Sequence, residues 1–123
     1  MIVYAIRGAT TAENTKEQIY ARTKELIRKI VVENGLKDKG ISITSVICSS
    51  TADITAAYPA SAVREEGFSD VPLFSCAEPE IDGALPLCIR LLVNVSSSVK
   101  EQIQAKHIYL HGAVALRPDL TNK

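Results

Sequence analysis

The stretch LPLCIRLLVNV, residues 85–95, limits what this chain can fold into more than any other. Strand side chains alternate between faces, so Ile89, Leu91, Val93 and Val95 fall on one side, and Cys88, Arg90, Leu92 and Asn94 on the other. The first face is wholly apolar and needs a core to cover it. The second is nearly as apolar but carries a guanidinium, which keeps its proton and is rarely buried unless an anion meets it. A carboxylate of the chain or a bound ligand must supply that anion.

The neighbouring segments decide what can cover such a strand. MIVYAIRGATT reads as a strand with Ile2, Tyr4 and Ile6 on one face and Val3, Ala5 and Arg7 on the other, ending at Gly8. It places a second arginine inside a strand. In the next segment, Ile19, Thr23, Leu26, Ile27 and Ile30 share one helical face, away from Lys16, Glu17, Lys24, Glu25 and Lys29. Asn14 or Thr15 caps the start of this helix, and Gly35 suits a left-handed exit. ISITSVICSS returns to β structure, but its apolar parity switches near Ser45, so it is either buried on both faces or bulged. Asp53 is a candidate cap, Pro59 favours a helix start and Gly67 a stop, giving a short helix over residues 59–66. VPLFSCAE is a short strand ending at Glu78, followed by a turn with Pro79, Asp82 and Gly83. After the arginine strand come a polar connection, SSSVKEQIQAK, and a last strand over residues 107–116, with Tyr109, His111, Ala113 and Ala115 on one face. The tail RPDLTNK is expected to be mobile and without regular structure.

The order β-α-β-α-β-β-β predicts an α+β fold, a mixed sheet of about five strands with helices on one face. Two helices cannot cover both faces of such a sheet. Val3, Ala5, Cys88, Leu92, Ala113 and Ala115 make the second face apolar, so another subunit is expected to meet it, most simply in a closed cyclic assembly. A chain of 123 residues gives one domain, residues 1–123, with residues 116–123 as its mobile tail.

Arg7, Arg90 and Tyr109 each interrupt an apolar strand, and Glu78 ends a fourth. Arg90 paired with Glu78, with Arg7 in solvent, would be a purely structural arrangement. Two strand arginines together favour capture of a carboxylate or phosphate, and hence a small-anion pocket. Other chemistries find less support. Lysine plus arginine equals aspartate plus glutamate at 14 each, so no long-range positive field draws nucleic acid or an acidic membrane. Cys48, Cys76 and Cys88 have no metal or redox spacing and read as reduced core thiols. His107 and His111 lack a third ligand of matching spacing, so a metal site is not expected. The serines of CSSTAD and VSSSVK lack a GxSxG elbow and read as turn or capping residues. No nucleotide-phosphate loop is present in IRGATT or HGAVAL. The expectation is a cofactor-free pocket in a cytoplasmic protein, since the sequence opens without a leader-like segment and has no bilayer-length apolar run.

IRGATT, YPASAVRE, VPLFSCAE with GALPLCIRLL, and HIYLHGAVALRPDL together resemble the AroH-class chorismate mutases, the trimeric α/β type, over nearly the whole chain. The resemblance implies rearrangement of chorismate to prephenate, on the branch toward phenylalanine and tyrosine, without a cofactor. It also implies a trimeric pseudo-α/β barrel with sites between subunits of a homotrimer. The family pattern carries a substrate-clamping arginine onto Arg7, a hydroxyl-binding carboxylate onto Glu78, an ether-oxygen arginine onto Arg90 and a ring-carboxylate phenol onto Tyr109. Further substrate-lining positions fall on Tyr58, Ala60 and Arg64, on Leu73, Phe74, Ser75, Cys76 and Ala77, and on Leu116 and Arg117. By the same resemblance, residues 116–120 would order over bound substrate, with Arg117 at the mouth. Ser61 replaces a frequent family lysine, Tyr58 a phenylalanine, and Ser75 a cysteine found in some members, with Cys76 one position later. Two other readings compete: an imine or enamine deaminase of the YjgF type, whose C-terminal arginine and glutamate pattern is missing here, and a non-catalytic binding module for an aromatic-pathway acid.

Overall fold

The computed structural model describes residues 1–99 and 103–121. Strand β1 (Ile2–Thr11) leads to helix α1 (Lys16–Glu33), strand β2 (Ile41–Ser50), helix α2 (Pro59–Glu65), strand β3 (Leu73–Ala77) and strand β4 (Cys88–Ser97). The chain then forms a two-residue strand β5 (Ile108–Tyr109), a 3₁₀ turn (His111–Leu116) and a single helical turn α3 (Pro118–Thr121). The five strands make one mixed sheet in the order β3-β2-β4-β1-β5. The arginine strand β4 lies at its centre, antiparallel to both β1 and β2.

One face of the sheet is closed by the helices. Ile19, Thr23, Leu26, Ile27 and Ile30, the stripe read from the sequence, are all buried, as are Ile6, Val46, Leu91, Val93 and Val95 beneath them. Gly8 allows the close approach of α1: a Cβ there would lie 2.6 Å from the Ile30 Cδ1 atom. Thr15 caps α1 by accepting the Gln18 N–H at 3.2 Å, a contact whose loss typically costs about 1 kcal/mol. Gly35 leaves the helix at φ +59°, as its composition suggests. The Thr23 hydroxyl is fully buried on this face and has no hydrogen-bond partner among the described residues.

Of the two readings of β2, the bulge is correct: its register with β4 shifts between Ile43 and Ser45, and the Thr44 hydroxyl donates to the Asn94 carbonyl. Other expectations need correction. The last strand is only Ile108–Tyr109, because His111 adopts φ +52° and turns the chain off the edge of β1. There the Gly112 N–H finds the Thr11 hydroxyl in place of a ladder carbonyl. Cys88 and Ala113 belong to the buried interior and not to the uncovered face. The Cys88 backbone is tied to Thr51, whose hydroxyl accepts the Cys88 N–H and whose N–H donates to the Cys88 carbonyl. Cys76 is exposed and is no core thiol. Asp53 caps no helix; α2 starts at Pro59 without a side-chain cap, and the Asp53 carboxylate accepts the Leu87 N–H instead. The tail contains a helical turn where none was expected. Part of the polar connection (residues 100–102) and the last two residues of the tail lie outside the described residues.

Candidate active site

Strand register brings one residue from every strand into a single row on the face that no helix covers. Cys76 stands opposite Ser49, Ser49 opposite Arg90, Arg90 opposite Ala9, and Ala9 opposite Tyr109. One step along the same face, Phe74, Ile47, Leu92 and Arg7 form a second row. Only a methyl group separates Arg90 from Tyr109 along the first row, so the floor is low between two large side chains. The result is a concavity of about 200 Å³ lined by Arg7, Ser49, Cys76, Arg90, Leu92 and Tyr109, among others.

Glu78 supplies the anion that Arg90 requires. It is the first residue past β3, and its N–H extends the ladder by one bond to the Ser50 carbonyl at 3.0 Å. Its half-buried carboxylate accepts the Ser49 hydroxyl at 2.6 Å and approaches Arg90 Nε at 3.1 Å. The Arg90 side chain nevertheless stays 46% exposed, so the guanidinium is paired without being enclosed. Arg7 projects from the same face and is exposed. Its backbone N–H donates to His107 Nδ1 at 2.9 Å, which fixes that ring nitrogen as an acceptor and gives His107 a supporting position beneath the site. Among the described residues no group of three or more histidine, cysteine, aspartate or glutamate side chains could hold a metal ion.

A second, larger cleft of about 610 Å³ lies between the end of β3 and the loop before α2, lined by Ser75, Cys76, Ala77, Tyr58 and residues of the 51–57 segment. That loop is tied down at two points. Asn14 accepts the Thr55 and Ala56 N–H groups and donates to the Thr55 hydroxyl. Asp53, its carboxyl lowered below its ordinary value first by the Thr51 hydroxyl, against an opposing effect of burial, and to a lesser extent by the Leu87 N–H, anchors the other side. Cys76 borders both this cleft and the open-face concavity. Burial pushes the Cys48 thiol at the cleft wall up to about 12, with a lesser push from Cys76. Burial also raises the Cys88 thiol, partly opposed by Arg90. Both stay protonated near neutrality.

The structure therefore groups Arg7, Glu78, Arg90, Tyr109 and Cys76 at one site, and Tyr58, Ser75 and Ala77 at another. It does not bring the remaining sequence-derived positions into either cleft. Ala60 lies on the buried side of α2, Leu73 packs on the main core, and Arg64 and Phe74 face outward. Leu116 ends the 3₁₀ turn, and the Arg117 guanidinium is held by Asp119, with Nε to Oδ1 at 3.0 Å. The hydrogen bond to Asp119 and then its charge, against a slight opposing effect of burial and with a smaller effect of Tyr109, raise the affinity of Arg117 for its proton. Sequence reasoning missed Ser49, Ala9, Ile47 and Leu92 as lining residues and assigned the serines of CSSTAD to turns; Ser49 and Ser50 in fact end β2 and hold Glu78. The parity of β2 would have placed Ser49 beside Arg90, but the bulge at Ile43/Ser45 hides that parity.

The family model for chorismate mutase type I matches residues 3–120. The chain belongs to that family. It is 41% identical over 123 residues to the chorismate mutase AroH of Bacillus subtilis, covering 98% of this chain and 94% of that protein. It is 40% identical over 120 residues to the chorismate mutase AroH of Thermus thermophilus, covering 97% of each. Among solved structures, a chorismate mutase from Clostridium thermocellum superposes with a TM-score of 0.78 at 37% identity, over 89% of this chain and 96% of that one. The α+β fold and the chorismate mutase activity implied by the sequence motifs stand; the deaminase and binding-module readings find no support in these relatives.

Proposed function

We propose that the open-face concavity is where this chain rearranges chorismate to prephenate, with Arg90, Glu78 and Arg7 acting on the reacting substrate and Tyr109 binding it. The single observation that carries this reading is the Arg90 guanidinium, paired with Glu78 at 3.1 Å and still open to a cavity shared with Arg7 and Tyr109. The reaction is an intramolecular Claisen rearrangement in which the ether C–O bond breaks as a C–C bond forms, so it needs no nucleophile and no proton relay. The enolpyruvyl chain must fold over the ring, and arginines on the substrate carboxylates select that near-attack conformer. As the C–O bond lengthens ahead of C–C closure, negative charge grows on the ether oxygen. A fixed guanidinium there stabilises the transition state more than the bound substrate. Glu78, beside it, accepts the ring hydroxyl.

The site is a half-site in one chain. Ligand pockets of this kind usually enclose about 300–1,000 Å³, and the concavity holds about 200 Å³. The face around it exposes Val3 at 67% and Phe74 at 68%, apolar surface that a second subunit would bury. A homotrimer in which the cleft lined by Tyr58, Ser75 and Ala77 of one subunit closes over the Arg7, Arg90 and Tyr109 face of the next would complete the pocket. Residues 1–123 then act as a single domain, and residues 116–120 cover its mouth. No helix among the described residues is long and apolar enough to cross a membrane, and the three free thiols fit a reducing, cytoplasmic setting.

Loss of chorismate absorbance, with formation of a product that acid converts to phenylpyruvate, tests the reaction. Sedimentation equilibrium is expected to give three times the 13.3 kDa chain mass, with activity following the trimer. An active monomer would overturn the shared site.

A further inference from the structure

We propose that Ser49 is a positioning residue for the rearrangement, its hydroxyl aiming Glu78 so that the carboxylate serves the substrate and does not close onto Arg90; this rests on the open-face site assigned above.

Glu78 lies one residue beyond the last strand residue of β3, where its backbone keeps only the bond to the Ser50 carbonyl. Three side-chain torsions separate that backbone from the carboxylate. Among the described residues, Ser49 is the only side chain that hydrogen-bonds Glu78, at 2.6 Å on Oε1. The Arg90 approach, Nε to the same oxygen at 3.1 Å, is an ion contact that attracts the carboxylate without fixing its orientation. A carboxylate beside a guanidinium tends to close into a two-point fork, with both oxygens on parallel N–H groups. That fork would occupy the guanidinium edge needed by the ether oxygen and would engage both carboxylate oxygens, one of which the substrate hydroxyl needs.

Ser49 opposes the fork. It faces Arg90 directly across the β2–β4 pair and shares the wall of the same concavity. Its hydroxyl holds Oε1 against the β2 side, while the neighbouring Ser50 carbonyl holds the Glu78 backbone. The end of β2 is thus a two-point clamp on one carboxylate. A serine needed only for packing at this half-buried position would have no reason to direct its hydroxyl at an ionised group already paired with arginine.

The test uses the assembled enzyme and chorismate turnover. Ser49→Ala is expected to lower kcat roughly tenfold, the scale of a lost hydrogen bond to a charged group, with KM changed less than about twofold. Ser49→Thr, which keeps the hydroxyl on a strand-compatible side chain, should restore most of kcat. Ser49→Gly should reproduce the loss should the alanine variant assemble poorly. In a Glu78→Ala background, Ser49→Ala should cost less than about twofold, because there is no carboxylate left to aim. An undiminished Ser49→Ala effect in that background, unchanged kcat in the single variant, or no recovery with threonine at wild-type melting temperature would each overturn the role. Glu78→Ala with full activity would instead overturn the open-face site itself. An impaired Glu78→Ala beside a fully active Ser49→Ala would remove Ser49 alone.

Discussion

The two faces of the one sheet share every strand and differ in what they meet. On the helix side, Ile6, Val46, Leu91, Val93 and Val95 lie under Leu26, Ile27 and Ile30 with essentially no exposure. On the other side, the alternate residues of the same strands are Arg7, Ser49, Arg90 and Leu92, around a concavity open to solvent. Folding draws on the first face, where apolar burial contributes about 25 cal/mol per Å² removed from water. The proposed chemistry uses the second, where the Arg90 guanidinium sits on β4 and the Glu78 carboxylate at the end of β3, and the guanidinium stays accessible. On the proposed reading, the difference explains how a short chain with few helices supports an active site: the helices are used up on one face, and the face they leave bare would receive substrate and the neighbouring subunits.

If the faces divide labour in this way, substitutions on them should separate cleanly in what they damage. Ile30→Ala, on the helix side, should lower folding stability by about 2–5 kcal/mol while the folded fraction turns over chorismate normally. Denaturant midpoints with activity per folded molecule measure this, and a large loss of kcat in the folded enzyme would blur the division. Arg90→citrulline, on the open side, removes the charge and keeps the shape. It should cut kcat by about 100–1,000-fold, equivalent to roughly 2.7–4 kcal/mol of transition-state stabilisation, with a far smaller change in binding and melting temperature. A change confined to KM would remove Arg90 from the chemical step.

Two smaller effects sharpen the contrast. A chain ending at Ala115 loses Arg117 and its Asp119 partner, a surface group near Tyr109. It should keep the proposed trimeric assembly and its kcat, with KM raised about fivefold, the scale of an exposed charge contact. Lost kcat in an intact trimer would make the tail part of the catalytic machinery. The smallest effect belongs to Thr23, whose buried hydroxyl lacks a partner among the described residues. Thr23→Val should raise stability by about 1 kcal/mol by replacing that hydroxyl with a methyl of similar shape. Thermal melting decides it, and a lower midpoint would mean that the hydroxyl does find a partner.

Much of this was legible along the chain. The stripe from Ile19 to Ile30, the Thr15 cap and the Gly35 exit are local signals, and the helix followed them. The parity of β1 and β4 put Arg7 and Arg90 on the same side as Leu92 before any contact was known. What failed depended on partners distant in sequence. The segment after Tyr109 alternates like a strand, yet only its first residues find a partner on β1, since His111 turns the chain away and Gly112 bonds the Thr11 hydroxyl. Cys88 has the parity of the open face and is nonetheless buried, at the start of β4 where Thr51, far away in the chain, bonds its backbone. Asp53 has the look of a helix cap and serves as an anchor for the Leu87 N–H.

The sequence by itself determined the element order as far as Tyr109, the helix-facing residues, the presence of two arginines and a terminal glutamate among apolar strands, and, through its motifs, the family. These rest on periodicity and local propensity, which each segment carries without its neighbours. Only the tertiary structure decided which residues share a site. It is strand register that sets Cys76, Ser49, Arg90, Ala9 and Tyr109 in one row, and it is the β2 bulge, invisible as a local preference, that fixes where Ser49 falls in it. Pairing with a distant strand sets register, and a one-residue slip would turn every side chain to the other face. For that reason the serine that holds Glu78 could not be identified from the letters around it.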